Sequence, residues 1–310
     1  MDSVSPFRQP ETDAAPAPDL PLHPIFRFLI AAAITWAGNW LAANVCFSLL
    51  GAHPLLADAL YRVVAAALLI GSYCLLLTLL DHRSSDRLAL QGLPWKPYGR
   101  LQFLTGLVWG IAAIGLIVLC TAMAGTYQAQ VTLTAHALRR SAEVLVLLLG
   151  GALLEEVMFR GYPFQRLVEA VGPFWAVAFV SAVFAAAHLG NPNAGGVLSW
   201  AFFNTIAIGV LLALAYLRSR TLWLPLGIHF GWNFALGFLF GLPVSGMTGF
   251  AVLVRGSARG EPWLTGGPYG VENSALASAL LMVSFPLVLW AGSRLQAPVN
   301  RSGPSPNEVP

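Results

Sequence analysis

Charge is what this sequence has least of. Only 10% of its 310 residues are Asp, Glu, Lys or Arg, while 57% are hydrophobic, against roughly 25% charged in an ordinary soluble domain. So few ionic groups cannot present a charged face to water on every side, and lipid must cover much of the outside. A net charge of +3 is too small for a nucleic-acid surface, and no basic patch with interleaved aromatics occurs, so no nucleic-acid partner is expected. Cysteine is scarce too. Cys46, Cys74 and Cys120 all lie in apolar runs, where a thiol packs as a small residue, so neither a disulfide framework nor a zinc-finger site is implied. An internal repeat is also missing, and with it the inverted-repeat signature of many transporters. Residues 1–23 lack the apolar core of a signal peptide; they and 297–310 are expected to be disordered tails.

Long apolar runs are what the chain does have. A spanning helix needs about 20 mostly apolar residues, because unpaired backbone groups cannot be left in hydrocarbon. Eight segments qualify: 24–50, 56–80, 101–124, 142–161, 173–189, 197–217, 222–242 and 274–292. The expected fold class is all-α, a polytopic transmembrane helical bundle with about eight spanning helices. The expected division is N-terminal helices over 24–141, a core over 142–242, an outer Gly-rich loop over 243–273 and a last helix over 274–296. With the N-terminus inside, Arg83, Arg87, Lys96, Arg100, Arg160, Arg166, Arg218, Arg220, Arg294 and Arg301 fall at inner positions. Only Arg139, Arg140, Arg255 and Arg259 fall outside. That bias puts both termini in the cytoplasm.

A charge inside a bilayer costs roughly 2.5–3.5 kcal/mol on insertion scales, yet three apolar segments carry polar groups. They are the run Leu153 to Gly161 with Glu155, Glu156 and Arg160, the run Val183 to His188, and the run Gly227 to Asn233 with His229. Glu156 and Arg160 are four apart and share a helix face, as do Phe184 and His188, and His229 and Asn233. Gly172-Pro173 is a turn signal. Glu155 before it and His188 after it are nearly equidistant, about 25 Å along a helix, so the two can meet. This requires the fourth helix to run past Arg160 toward Glu169. His229, close after the Arg218–Thr221 connection, is expected nearer the inner face than either.

A carboxylate beside an imidazole can act as a general base on a shared water, and an imidazole and an amide N–H aimed at one point can stabilise an oxyanion. These parts hydrolyse a peptide bond without a covalent intermediate, and no Ser or Cys in the three segments has a nucleophile signature. Here the sequence resembles the CPBP family of CAAX-protease and bacteriocin-processing proteins, whose hallmarks are EExxxR, FxxxH and HxxxN/D. They read Glu155-Glu156-Val157-Met158-Phe159-Arg160, Phe184 to His188, and His229 to Asn233, in order and in separate apolar segments between Ala142 and Leu242.

The resemblance implies an intramembrane endopeptidase in which Glu155 and His188 activate water, His229 and Asn233 bind the oxyanion, and Glu156, Arg160 and Phe184 support them. It also implies a membrane-associated or lipidated peptide as substrate, with membrane lipids as the other partners. A zinc ion stays open as cofactor, its ligands then being Glu155, His188 and His229. The absence of an HExxH pair favours metal-free chemistry. The Ala/Leu-rich, short-looped chain suggests a bacterial inner membrane. Oligomeric state, substrate identity and organism are not legible.

Two other functions fit the same residues: a proton- or ion-coupled transporter, and a non-catalytic scaffold or immunity protein. Glu156–Arg160 alone could be a structural ion pair, and His229 with Asn233 a hydrogen-bonded helix contact. Asn204 is expected to bond between helices. His136, Arg139, Arg140 and Glu143 read as an entry turn. The stretch Gly266-Gly267-Pro268-Tyr269-Gly270-Val271-Glu272 resembles one in bacterial relatives, though a plain outer loop explains it as well. Trp36, Trp40, Trp109, Trp223 and Trp290 read as interfacial or packing aromatics.

Overall fold

Proline opens four of the long helices, where its missing N–H costs nothing. The computed structural model describes residues 22–83 and 86–296, so both expected disordered tails lie almost wholly outside the described residues. Along the chain come α1 (Pro24–Leu50), α2 (Pro54–Leu79), the short α3 (Arg87–Leu90) and α4 (Pro97–Met123). After β1 (Tyr127–Val131) follow α5 (Ala135–Arg160), α6 (Tyr162–Ala187), α7 (Trp200–Ser219) and α8 (Trp223–Phe234), which continues as a π-helical turn over Ala235–Leu239. Then come β2 (Val254–Ala258), the short α9 (Pro262–Thr265), 3-10 turns at Gly267–Tyr269 and Val271–Asn273, and α10 (Ala275–Arg294). The side chains of Thr134, Ser199 and Ser274 cap α5, α7 and α10, each satisfying an amide of the first turn.

Among the described residues, six helical runs are long and apolar enough to cross a membrane, and the chain is an integral membrane protein. The expected count of about eight is not reproduced. The fourth and fifth expected spans fall in one run, Ala135–Ala187, and α8 has only 12 helical residues before its π turn. Trp36, Trp40 and Trp290 are exposed, as lipid-facing aromatics would be. Trp109 instead packs parallel to Trp232 at 6.3 Å, and Trp223 donates to the Pro94 carbonyl.

The fold is not purely helical. β1 and β2 pair antiparallel, from Tyr127 with Ala258 to Val131 with Val254, and the Tyr127 hydroxyl donates to the Phe240 carbonyl. The segment expected as an outer Gly-rich loop holds β2, α9 and two 3-10 turns, and it buries Tyr269 and Val271.

The fourth helix does not run on past Arg160, as the depth argument required. The backbone turns out of the helix at Gly161 (φ −76°, ψ −147°), where a Cβ would strike the Val157 carbonyl oxygen. A separate arm from Tyr162 follows, and the chain turns again at Gly172 (φ 81°, ψ 161°), a left-handed φ that suits glycine, just before Pro173.

The closest helix pair sets the site. α4 carries Gly106 and Gly110, and α8 carries Gly227 and Gly231, both four apart. A Cβ on Gly110 would lie 2.5 Å from the Ile228 oxygen, and one on Gly231 2.5 Å from the Leu107 oxygen. Gly106 and Gly227 press equally on Leu224 and Phe103. Only glycines let two backbones approach so closely, the packing that small residues provide in membranes. One apolar core, with Ile114, Leu147, Leu211 and Ile228, fills the space among α4, α5, α7 and α8. A second, with Leu69, Tyr73, Phe164 and Tyr216, lies among α1, α2, α6 and α7.

Candidate active site

Glu156 and Arg160 are wholly buried and face each other one turn apart on α5, Arg160 Nη1 standing 3.2 Å from Glu156 Oε1. Arg160, expected as a charge at an inner helix end, is instead buried inside the bundle. Its Nη2 donates to the Gly209 carbonyl of α7 at 3.1 Å, and its guanidinium lies 4.8 Å from the centre of the Phe184 ring. At Gly209 α7 lies close against α6, its Cβ position being 3.2 Å from Ser181. One cation thus ties α5, α6 and α7.

The same Glu156 oxygen serves α8. His229 Nδ1 lies 2.8 Å from Glu156 Oε1, and His229 Nε2 lies 3.6 Å from Glu155 Oε2. The carboxylate can only accept, so Nδ1 carries the proton, and Nε2 is the nitrogen turned to Glu155. His229 was expected at a different height from Glu155, and the structure corrects this. α5 ends at Arg160 and α8 begins at Trp223, so both residues stand one to two turns from adjacent helix ends.

His188 is the C-cap of α6, and its Nδ1 bonds the Phe184 carbonyl at 2.7 Å. A carbonyl only accepts, which fixes the proton on Nδ1 and leaves Nε2 as the acceptor in the neutral ring. Phe184 sits between the two imidazoles, 4.6 Å from the His188 ring and 6.2 Å from the His229 ring, and it meets Phe159 edge-on at 5.1 Å.

Glu155, His188, His229 and Asn233 line one cavity, walled further by Arg62, Phe184, Trp232, Ser245 and Glu272. About 70 Å³ of it is open to water centres, several times the roughly 10–15 Å³ that one water needs. The Glu155 side chain is about a quarter exposed there, and its Oε2 has no hydrogen-bond partner among the described residues. Every residue expected at the site is therefore at this cavity or directly behind it.

Zinc is a different matter. Among the described residues no three His, Cys, Asp or Glu side chains converge as metal ligands do. Glu155, His188 and His229 share a cavity without forming a ligand set.

Two groups at this cavity were not foreseen. Arg62, paired with Asp58 one turn earlier on α2 at 3.1 Å, lines it from an apolar run. A charge in such a run was the available signal. Glu272 reaches the cavity from the Gly-rich segment, accepting from Trp232 Nε1 at 2.9 Å and from the Ser245 N–H. Burial holds its carboxyl above the usual range, a rise that these two donors only partly offset. Asn204, expected to bond between helices, donates to the Glu272 and Ser274 carbonyls at 2.8 and 3.0 Å.

Residues 137–235, from the first turn of α5 to the end of α8, match the family described as type II CAAX prenyl endopeptidase Rce1-like. Neither the curated proteins nor the solved structures contain a match to the chain.

Proposed function

We propose that this chain, whose segment 137–235 matches a CAAX-protease family, is an intramembrane endopeptidase that hydrolyses a peptide bond by direct attack of water. The observation that carries the reading is that Glu155, His188, His229 and Asn233 line one cavity with room for water. Glu155 is the general base, with His188 Nε2 sharing the water. The water oxygen bonds the scissile carbonyl carbon and its proton passes to Glu155. His229, as an imidazolium held between Glu155 and Glu156, donates from Nε2 and with the Asn233 amide holds the developing oxyanion. When the C–N bond breaks, the departing amine takes the proton from Glu155, and a carboxylic acid and an amine leave. Glu156 and Arg160 touch no substrate; they hold His229 and the α7 backbone in place.

The substrate in this reading is a membrane-associated or lipidated peptide, met at the inner face of a bacterial cell membrane with both termini cytoplasmic. The purified chain should cleave a member of a prenylated CAAX-type peptide set, followed by mass spectrometry. Glu155→Gln should abolish cleavage without changing the thermal unfolding midpoint, and Asn233→Ala should lower kcat about 10²–10³-fold. Full activity in Glu155→Gln would overturn the mechanism, and ion flux in sealed vesicles that depends on Glu155 would favour a transporter. Chelator treatment should leave cleavage unchanged; a loss restored by zinc would make the enzyme metal-dependent.

A further inference from the structure

The mechanism leaves Glu272 unused, although it is buried in the cavity wall with both carboxylate oxygens engaged. Its contacts join the two sides of the site. Oε1 holds the indole N–H of Trp232, which lies between His229 and Asn233 on α8. Oε2 holds the backbone N–H of Ser245. The Ser245 carbonyl accepts from Asn191 Nδ2 at 2.9 Å, and the Asn191 N–H donates to the His188 carbonyl at 3.1 Å. One chain of hydrogen bonds therefore runs from the oxyanion side, through Glu272 and Ser245, to the base side.

Both ends are anchored. Trp232 is stacked on Trp109 of α4. The Glu272 backbone is gripped by Asn204, whose own oxygen accepts from Ser278 at 2.6 Å. The neighbouring Asn273 side chain accepts from the Ala201 N–H and donates to the Gly266 carbonyl. Ser245 takes a left-handed φ of 47°, a conformation that a non-glycine residue holds only when its surroundings fix it.

We infer that Glu272 is a positioning residue, a carboxylate clamp that sets the spacing between His188 and the His229–Asn233 pair. The inference rests on the proteolytic reading above. Misplacing a reacting group by about 1 Å can cost 10²-fold in rate, so the clamp acts on turnover rather than on peptide binding.

The test uses the full chain in detergent, a fluorogenic prenylated CAAX peptide, and the variants Glu272→Gln, Trp232→Phe and the double. Each single variant should lower kcat by about tenfold or more while KM stays within about twofold. The double should lose no more than the worse single, because each variant breaks the same chain of hydrogen bonds. Trp232→Phe removes the indole N–H while keeping an aromatic ring against Trp109, so it keeps the comparison valid if Glu272→Gln folds poorly. Wild-type kcat in a folded single variant, losses that multiply in the double, or a loss explained wholly by less folded protein would each overturn the clamp while leaving the protease intact. A wild-type chain that cleaves none of the peptides would overturn the proteolytic reading, and the inference with it.

Discussion

Arg160 holds three helices through one guanidinium, with bonds to Glu156 and Gly209 and a face on Phe184. Methionine at 160 would leave the Glu156 carboxylate buried without its cation. Breaking a buried pair on one side typically costs about 3–5 kcal/mol, so Arg160→Met should unfold at markedly lower denaturant. Arg160→Lys should fold but lose activity, since an ammonium cannot reproduce the planar fork that reaches both partners. Unfolding curves followed by tryptophan fluorescence check the first expectation, and peptide cleavage the second.

Glu272 gives a residue-scale pH test. Its carboxyl is held above the usual range by burial, so the folded state keeps its proton to a higher pH than the unfolded chain does. The stability it contributes is then full below the unfolded value of about 4.3 and is lost as pH rises through the folded value. Glutamine cannot titrate. The unfolding midpoint of wild type relative to Glu272→Gln should fall as pH climbs from about 4; a flat or rising difference would contradict the assignment.

At the scale of elements, the α4–α8 contact decides whether His229 reaches Glu156. Alanine at Gly110 or Gly231 puts a methyl into the facing backbone, 2.5 Å from a carbonyl oxygen, so the helices must part. Each substitution should lower both the unfolding midpoint and the cleavage rate. Alanine at Gly71, which has nothing within 4 Å of its Cβ position, should change neither.

Helical spacing was enough to read three of the site's features from sequence. It paired Glu156 with Arg160, set Phe184 under His188, and aligned His229 with Asn233, because each pair lies within one element. What needed contacts between elements was not legible. The glycines of α4 pair with those of α8, but nothing local says which helix a Gly-x-x-x-Gly face will meet. Gly161 ends α5 through a backbone angle that an apolar window does not register. Glu272 lies in a Gly-rich stretch whose composition suggests solvent, whereas its neighbours draw it inward.

For the whole molecule, the excess of arginine and lysine at inner positions survives the burial of Arg160. In a chain whose three native cysteines are replaced by alanine, Ser3→Cys and Ser305→Cys should be silent to a membrane-impermeant maleimide on intact cells. Arg259→Cys should react. Labelling of either terminus would invert the topology.

The helix that carries His229 packs backbone to backbone on α4, which lies outside the segment 137–235 that carries the family pattern. That segment is thus not a portable module. Moved into another scaffold, it would keep its motif residues but lose the backbone ledge from Phe103 to Trp109 that supports α8. Any host for this chemistry would have to supply a helix just as bare of side chains.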